Sequence, residues 1–299
     1  MPSCRLPDHP TPITAILTHP GSSHKDDLLA CCVLIHKHRT PVLRREPTEA
    51  DLADPATCVV DVGGHHQPEL ANFDHHQLPA DHPPTCALSL VLQHLGVYED
   101  ARMFCDWLET AEYLDSRGPL EATRWLGVER RVLNQLNSPV DMTLLRRFAS
   151  RSEIVPGDPL WEVMRWIGED IMVYLNSLRH RLDFVSAHAD TWDLGPFRAV
   201  FLPRVEPLAG EPSAGLARHI NTIDSEGKVI AMVYPDRRGP GYGLSRHNDD
   251  LRLDFTRIAH EPDVHFAHAR WFVAKTTATD PARLRELLRA AFVAHAVGH

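Results

Sequence analysis

Four groups of aspartate and histidine side chains stand in the first half of this chain. The densest is the run Asp74-His75-His76, and Asp61 ends an apolar run just upstream of it. Hard cations such as Mn²⁺ and Mg²⁺ favour carboxylate oxygen, and Mn²⁺ also accepts imidazole. Two such ions about 3.5–4 Å apart can activate a water and stabilise charge on phosphate oxygens. The pattern predicts a two-metal hydrolytic site with these ligands: His19, His24, Asp26, Asp61, His75 and Asp115.

His75 stands between two side chains that point away from it if the segment is extended. We expect one of Asp74 and His76 to orient a ligand and the other to face the substrate. Each group also has an ordinary explanation when it is taken alone. Acidic residues in the first turn of a helix favour its dipole, and Asp115 could be a solvated residue at a helix end. The prediction therefore depends on the four groups occurring together.

The apolar runs around these groups alternate between strand and helix patterns. Residues 13–18 and 58–62 are typical of strands, and residues 26–38 carry apolar side chains at the i, i+3, i+4, i+7 spacing of a helix. This alternation predicts an α/β fold with a mainly parallel sheet flanked by helices. Ligands of such sheets gather at the carboxyl ends of the strands, where His19 and Asp61 fall.

The pattern changes along the chain near Asp193-Leu194-Gly195-Pro196, after a mostly helical stretch over residues 84–180. We predict a metal-binding catalytic domain with a helical layer over residues 1–195, and a smaller α/β substrate-binding domain over residues 196–299. In this second part we expect strands at residues 197–202, 228–234, 242–246 and 264–267, and helices at 215–223 and 281–296.

The bulk composition limits the class of substrate and the cellular setting. The net charge is −9, whereas proteins that bind long nucleic acid usually carry a basic stripe. The six cysteines show no zinc-like pairing, so we expect them to be reduced and mostly buried in a cytoplasmic protein. No apolar run approaches the about 20 residues of a membrane span, and we expect no membrane partner.

Two of these segments resemble the motifs of the DHH phosphoesterase superfamily. Residues 18–27 read Thr-His-Pro-Gly-Ser-Ser-His-Lys-Asp-Asp, and Asp61-Val62-Gly63-Gly64 precedes Phe73-Asp74-His75-His76-Gln77. Within the superfamily they look most like the melanocyte-proliferating-gene family of metal-dependent hydrolases. Its motifs read Thr-His-x-Gly-x-x-His-x-Asp-Glu and Asp-x-Gly-Gly, then Phe-Asp-His-His-Gln. Residues 264–272 resemble the family's Phe-x-His-Ala-x-x-Phe segment.

The resemblance implies a two-domain enzyme that hydrolyses phosphoester bonds in the cleft between its domains. His76 would contact the scissile phosphate or protonate the leaving oxygen, with Asp74 as the residue that orients it. Relatives in the family are 3′-to-5′ exonucleases on RNA or DNA, and wider superfamily members cleave oligonucleotides, cyclic dinucleotides or pyrophosphate. By analogy, one metal would take His19, His24 and Asp61, and the other would take Asp26, Asp61, His75 and Asp115.

The chain departs from the family pattern at one place in the second domain. There the family has a glycine pair, which lets backbone amides approach a substrate phosphate. Ala274-Lys275-Thr276 stands there instead, and Lys275 could substitute as a point charge. The predicted substrate-binding residues are His76 and, in the second domain, Arg246, His247, His268 and Lys275.

We therefore predict a phosphoesterase with two divalent cations, Mn²⁺ ahead of Mg²⁺, acting as a 3′-to-5′ exonuclease or phosphodiesterase on short oligonucleotides. Three alternatives stay open. The first is a phosphatase or pyrophosphatase acting on a small phosphorylated molecule. The second is a non-catalytic, metal-binding regulatory protein. The third is a single-zinc hydrolase, which needs only three protein ligands around one metal. The sequence makes no prediction of the oligomeric state.

Overall fold

The computed structural model describes residues 11–135 and 138–293. Cys4 and the last residues of the final helix predicted at 281–296 lie outside these ranges. The chain divides into two compact units, Met1–Asn176 and Ser177–His299, and the division falls ahead of the boundary predicted at residues 195 and 196. No helix in the described ranges is both long enough and apolar enough to cross a membrane.

A six-stranded sheet with helices around it forms the first unit. Its strands are β1 (Ala15–Thr18), β2 (Val42–Arg44), β3 (Thr57–Val60), β4 (His66–Gln67), β5 (Asn72–Phe73) and β6 (Glu153–Ile154). Its helices are α1 (Lys25–His38), α2 (Glu49–Ala53), α3 (Ala87–His94), α4 (Tyr98–Phe104), α5 (Asp106–Leu126), α6 (Arg130–Gln135), α7 (Pro139–Ala149) and α8 (Pro159–His188), which continues into the second unit. A 3₁₀ turn spans Pro68–Leu70.

The order of the first sheet is β4-β5-β3-β1-β2-β6. The four inner strands β5, β3, β1 and β2 run parallel, and the two edge strands β4 and β6 are antiparallel to their neighbours. The predicted α/β class is confirmed, with a sheet that is mixed and parallel at its centre. The inner strands β1 and β3 are almost completely buried, as expected for parallel strands covered on both faces.

Helix α1 passes through the core of the first unit. Every residue over 30–35 is buried, because the helix is packed on more than one side. One of these contacts is with α8 at Gly168, where an added Cβ atom would lie 2.0 Å from the backbone oxygen of Cys32. The two backbones therefore meet at a distance that only glycine permits at this position.

Helix α5 is broken in the middle. Gly118 has φ 75° and ψ 169°, a conformation available mainly to glycine, and Pro119 follows it without a backbone N–H. Asp115 consequently lies in the last turn of the first half of α5, close to the helix end that the sequence predicts. The second half resumes and ends at Leu126, with Gly127 in the left-handed cap position.

A second six-stranded sheet forms the centre of the second unit, in the order β11-β12-β10-β9-β8-β7. Only β8 and β9 are parallel among its strands, so this sheet is mainly antiparallel. Leu284, Leu287 and Leu288 pack on one face, and Leu216 and Ile220 pack on the other. The elements are β7 (Asp190–Asp193), β8 (Arg198–Phe201), α9 (Leu216–Ile223), β9 (Val229–Pro235), β10 (Tyr242–Arg246), a 3₁₀ turn (Phe255–Ile258), β11 (Val264–Ala267), β12 (Val273–Thr276) and α10 (Pro281–Ala291).

All six elements predicted for the second part are present, within a few residues of their expected bounds. Strands β7 and β12 were not predicted. Strand β7 begins and ends with aspartate, and β12 carries Lys275, and both residue types lower strand propensity.

Candidate metal centre

Three site residues lie side by side at the carboxyl end of the first sheet, because the strands that they follow are in register. Thr18 of β1 pairs with Val60 of β3, and Val60 pairs with Phe73 of β5. Since these strands are parallel, their carboxyl ends lie at the same edge. The residues that follow the three strand ends are His19, Asp61 and Asp74.

Asp61 turns the chain out of β3 in a left-handed conformation, with φ 59°. This region is uncommon for residues other than glycine, asparagine and aspartate. The two carboxylate oxygens of Asp61 face different histidines: Oδ2 lies 3.5 Å from Nε2 of His19, and Oδ1 lies 3.1 Å from Nε2 of His75. The buried Asp61 therefore lies between His19 and His75, with one carboxylate oxygen toward each.

The first turn of α1 supplies two adjacent carboxylates with different partners. Asp27 Oδ1 accepts hydrogen bonds from the backbone N–H of His24 and of Leu28, each at 2.8 Å, so the capping explanation holds for Asp27. Asp26 is 1% exposed, and neither of its oxygens has a hydrogen-bond partner. Its orientation is therefore not explained by capping.

The structure brings all six predicted ligands into one continuous group. Ligand atoms of Asp26, Asp61, His75 and Asp115 all lie within 4.8 Å of one another. His75 Nε2 is 2.8 Å from Asp115 Oδ2, and His24 Nδ1 is 3.4 Å from Asp115 Oδ1. His19 joins the group through Asp61. Asp115 is therefore part of the cluster rather than a solvated helix end.

Several buried polar atoms at the centre of this cluster have no hydrogen-bond partner. Native proteins leave few such atoms unsatisfied, and a buried carboxylate without compensation is costly. A cation among them would coordinate these atoms and offset their charge. The donor set of carboxylate oxygen and imidazole nitrogen suits Mn²⁺ or a similar divalent ion. Both oxygens of Asp26 lack any hydrogen-bond partner, whereas Nε2 of His75, Oδ1 of Asp61 and Oδ2 of Asp115 contact one another, at 2.8 and 3.1 Å, without the geometry of a hydrogen bond.

The ionisation of the cluster shows how strongly this position favours positive charge. Burial, and then the charges of Asp61 and Asp115, raise the pKa of Asp26 well above its usual value. Burial lowers the pKa of His75, but the neighbouring carboxylates of Asp115 and Asp61 outweigh it and raise that pKa to about 10. Without a metal, a proton on His75 partly offsets the carboxylates that converge on it.

His76 is oriented by the residue two positions before it. Its Nδ1 lies 2.7 Å from Asp74 Oδ1, and Asp74 Oδ2 accepts the backbone N–H of Gly64 at 2.6 Å. Burial opposes ionisation of Asp74, but hydrogen bonds from His76 and Gly64 outweigh it and lower its pKa. The ring of His76 is 63% exposed, so its Nε2 is free to face a substrate. Asp74 thus fixes the ring of His76, and a nitrogen of that ring also lies within 4.8 Å of ligand atoms of Asp61 and His75.

An open cavity of about 370 Å³ lies over the cluster. This volume is in the range of about 300–1,000 Å³ that is typical of small-molecule sites. Residues of the sheet edge and of the loop after β3 line it: His19, His24, Asp61, Val62, Gly63, Gly64, Asp74 and His76.

Arg44, which was not predicted as part of the site, holds the loop between β1 and α1 in place. Arg44 is 3% exposed, and Nη2 donates to the carbonyl of Ser22 at 2.9 Å. Its Nη1 donates to the carbonyls of Phe148 at 3.0 Å and Gly21 at 3.3 Å. The same guanidinium lies 3.7 Å from Asp27 Oδ2. The available signal was a basic residue at the end of an apolar strand.

Two of the substrate-binding residues predicted in the second unit are buried. Arg246 is 7% exposed, and its Nε donates to the carbonyl of Leu253 at 2.6 Å. His247 is also 7% exposed, and burial lowers its pKa. Both would have to become accessible before they could contact a substrate.

The other two predicted residues, Lys275 and His268, are each partly accessible. Lys275 Nζ donates to Asp236 Oδ1 at 2.9 Å, and His268 Nδ1 accepts the backbone N–H of Arg270 at 3.1 Å. Gly243 pairs with Lys275 across β10 and β12, so Arg246, three residues further along β10, is on the opposite face of the sheet. Lys275 and Arg246 therefore do not form one group.

A family model matches the segment that carries most of the cluster, and one curated relative matches a part of this chain. The family model described as "MYG1_exonuc: Uncharacterised protein family (UPF0160)" matches residues 15–86, which include five of the six predicted ligands. The MYG1 exonuclease of Rattus norvegicus is 39% identical over 64 residues, which are 20% of this chain and 16% of that protein. These matches support a relationship to the MYG1 family over a part of this chain.

A solved structure, the pGpG-specific phosphodiesterase PggH from Vibrio cholrae, aligns over 94% of this chain and 100% of its own. The sequence identity is 13% and the TM-score is 0.33, a likeness too low to define a common fold.

Proposed function

We propose that this chain is a metal-dependent phosphoesterase, and specifically a 3′-to-5′ exonuclease or phosphodiesterase that acts on short oligonucleotides. The observation that carries the proposal is the convergence of Asp26, Asp61, His75 and Asp115 within 4.8 Å, with buried ligand atoms that lack hydrogen-bond partners. The exonuclease relative, which is 39% identical over 64 residues of this chain, supports the choice of phosphoester substrate.

Two divalent cations, Mn²⁺ ahead of Mg²⁺, are proposed to bind here with Asp61 as the shared ligand. Its two oxygens face His19 on one side and His75 on the other, which favours a bridge between two positions. When bound, such ions activate a water and neutralise charge on the phosphate. The proposed ligand sets are His19, His24 and Asp61 for one ion, and Asp26, Asp61, His75 and Asp115 for the other.

His76 is proposed to act on the scissile phosphate, either by contact or by protonating the leaving oxygen. Its Nδ1 contacts Asp74, so the opposite nitrogen of the ring is the one available to the substrate. Asp74 is the positioning residue, because its second oxygen is itself fixed by the Gly64 backbone.

Short substrates are favoured by two observations on the chain. The net charge of −9 makes a long polyanion an unfavourable partner. The cavity of about 370 Å³ over the cluster has room for about one small-molecule ligand. His268 and Lys275 remain proposals for substrate contact, whereas Arg246 and His247 would first need to be uncovered.

The direct test is hydrolysis of a short labelled RNA by metal-stripped protein to which Mn²⁺, Mg²⁺ or Zn²⁺ is returned. We expect turnover with Mn²⁺, release of mononucleotides from the 3′ end, and a loss of at least 10³-fold in Asp61→Asn, on the order expected for removal of a catalytic metal ligand. Asp170→Asn is the matched control, since Asp170 is an exposed carboxylate on α8. No turnover by the wild type, or equal turnover by Asp61→Asn, would refute the proposal.

The same assay separates the alternatives. Preference for pyrophosphate or a nucleotide phosphate over oligonucleotides would favour a phosphatase or pyrophosphatase. Mn²⁺ binding measured by calorimetry, without hydrolysis of any substrate, would favour a regulatory protein. One zinc per chain in metal analysis would favour a single-zinc enzyme.

A further inference from the structure

Arg117 is the cation nearest in sequence to the cluster ligand Asp115, and the break in α5 determines its position. Gly118, with φ 75°, interrupts the helix directly after Arg117. The guanidinium reaches the loop between β5 and α3, where Nη1 donates to the carbonyl of Ala80 and Nη2 donates to the carbonyl of His82. Arg117 thus bridges the helix that carries Asp115 and the loop that follows His76.

Within residues 11–135 and 138–293, no carboxylate forms an ion pair with Arg117. Among the described residues its hydrogen-bond partners are two backbone carbonyls, which fix the guanidinium without neutralising it. The oxygens of Asp115 face His24 and His75 instead. A guanidinium has five N–H donors, so three remain after these two bonds. The side chain is therefore held in place and still has N–H donors available to a ligand.

A second cavity, of about 180 Å³, lies beside Arg117. His75, His76 and Asp115 line it together with Arg117. His76 also lines the larger cavity over the metal ligands, so the two cavities adjoin the same ring. The volume is below the range of about 300–1,000 Å³ that holds a whole small molecule, but it can accept a single polar group.

We propose that this cavity is an anion subsite in which Arg117 binds a second phosphate group of the substrate, separate from the phosphate that is cleaved. A positioned guanidinium recognises phosphate through charge-assisted hydrogen bonds. Arg117 is then a specificity-determining residue: it favours substrates that carry an additional phosphate near the scissile bond. The inference rests on the proposed phosphoesterase function and extends it to the choice among phosphoester substrates.

The test compares two substrates that differ by one phosphate: 5′-phosphorylated diadenylate and the same dinucleotide without the 5′ phosphate. We expect the wild type to have a KM about tenfold or more lower for the phosphorylated form, as charge-assisted bonds to phosphate allow. Arg117→Gln should lose most of this ratio, and Arg117→Lys should recover part of it because the charge returns. Arg124→Gln, on an exposed arginine of the same helix, should keep the wild-type ratio.

Other outcomes separate this inference from the proposed function. Hydrolysis of both dinucleotides by the wild type with equal KM would overturn the subsite and leave the phosphoesterase intact. Equal losses on both substrates in Arg117→Gln, together with a lower Tm, would make Arg117 a structural link only. Hydrolysis of neither dinucleotide would count against the proposed function. Calorimetry with the two dinucleotides would then decide the subsite, because equal affinities would overturn it.

Discussion

Asp26 and Asp27 are adjacent and chemically identical, yet only Asp27 caps the helix, and its other oxygen, Oδ2, lies 3.2 Å from Nε2 of His19. Asp27 accepts two backbone N–H groups at the start of α1, and Asp26 faces the cluster without a hydrogen-bond partner. A helix turns by about 100° per residue, so consecutive side chains cannot share one environment. At the scale of single residues, the site therefore combines a carboxylate without hydrogen-bond partners, Asp26, with a neighbouring carboxylate that stabilises the start of a helix, Asp27.

Asp26→Asn tests this unsatisfied charge. We expect the free energy of unfolding of the metal-free protein at pH 7 to rise by roughly 1 kcal/mol, as removal of a functional but destabilising group often does. The stabilisation that Mn²⁺ gives to the wild type should be lost at the same time. Thermal unfolding with and without Mn²⁺ measures both effects. A lower Tm than the wild type in the metal-free state would contradict the prediction.

His76→Gln tests the outward-facing ring. We expect kcat to fall by about 10²–10⁴-fold, the contribution of a general acid or base, while Mn²⁺ affinity measured by calorimetry stays close to that of the wild type. Asp74→Asn should lower kcat less, because it disturbs the orientation of the ring and leaves it present. If His76→Gln weakens metal binding as strongly as His75→Gln does, His76 is a ligand and the assignment is wrong.

At the scale of elements, the helices hold the cluster from one side and the strand ends from the other. Helix α1 supplies Asp26 at its first turn, and α5 supplies Asp115 just before its break at Gly118. The position of α1 depends in turn on its contact with α8 at Gly168. A substitution at this contact, away from the predicted metal ligands, should therefore lower the stability of the first unit.

Gly168→Ala makes this contact testable. Alanine favours a helix by about 1 kcal/mol over glycine, but its Cβ would lie 2.0 Å from a backbone oxygen that cannot rotate away. The clash should win, and we expect a net loss of about 1–3 kcal/mol in the free energy of unfolding, measured with urea. Gly210→Ala is the control, because nothing lies within 4 Å of the added atom there. Equal stability of the two variants would show that α1 and α8 can move apart.

The sequence predicted those parts of the site that depend on local pattern. His19 and Asp61 were placed correctly because a parallel sheet aligns its strand ends. Arg44 was missed since its importance lies in contacts with Phe148, more than a hundred residues away. The separation of Arg246 and Lys275 could not be predicted either, because it depends on the register of β10 with β12. Long-range pairing, rather than local propensity, accounts for what the sequence did not reveal.

At the scale of the whole molecule, the excess of acidic residues makes the approach of a polyanion electrostatically unfavourable. The net charge is −9, and the binding of phosphate would depend on local cations rather than on a basic surface. The proposed site therefore needs few phosphate contacts and little release of counterions.

This charge balance predicts a weak salt dependence. We expect KM for a short oligonucleotide to change by less than about tenfold between about 50 and 200 mM KCl. Proteins that make 6–10 phosphate contacts lose about 10³–10⁵ in affinity over the same range. Steady-state kinetics at several KCl concentrations, with choline chloride as a control for cation identity, measure the slope. A slope as steep as that of a long nucleic-acid binder would contradict the prediction.

Asp61 combines two requirements in a single position. Its backbone has φ 59°, and its carboxylate faces histidines on both sides. Glycine and asparagine accept this backbone but bring no carboxylate, while glutamate brings a carboxylate with a longer side chain that is seldom left-handed. Aspartate is therefore nearly the only residue type that meets both requirements at the end of β3. This is useful for engineering an inactive variant, because Asp61→Asn should abolish hydrolysis while the turn after β3 keeps its conformation.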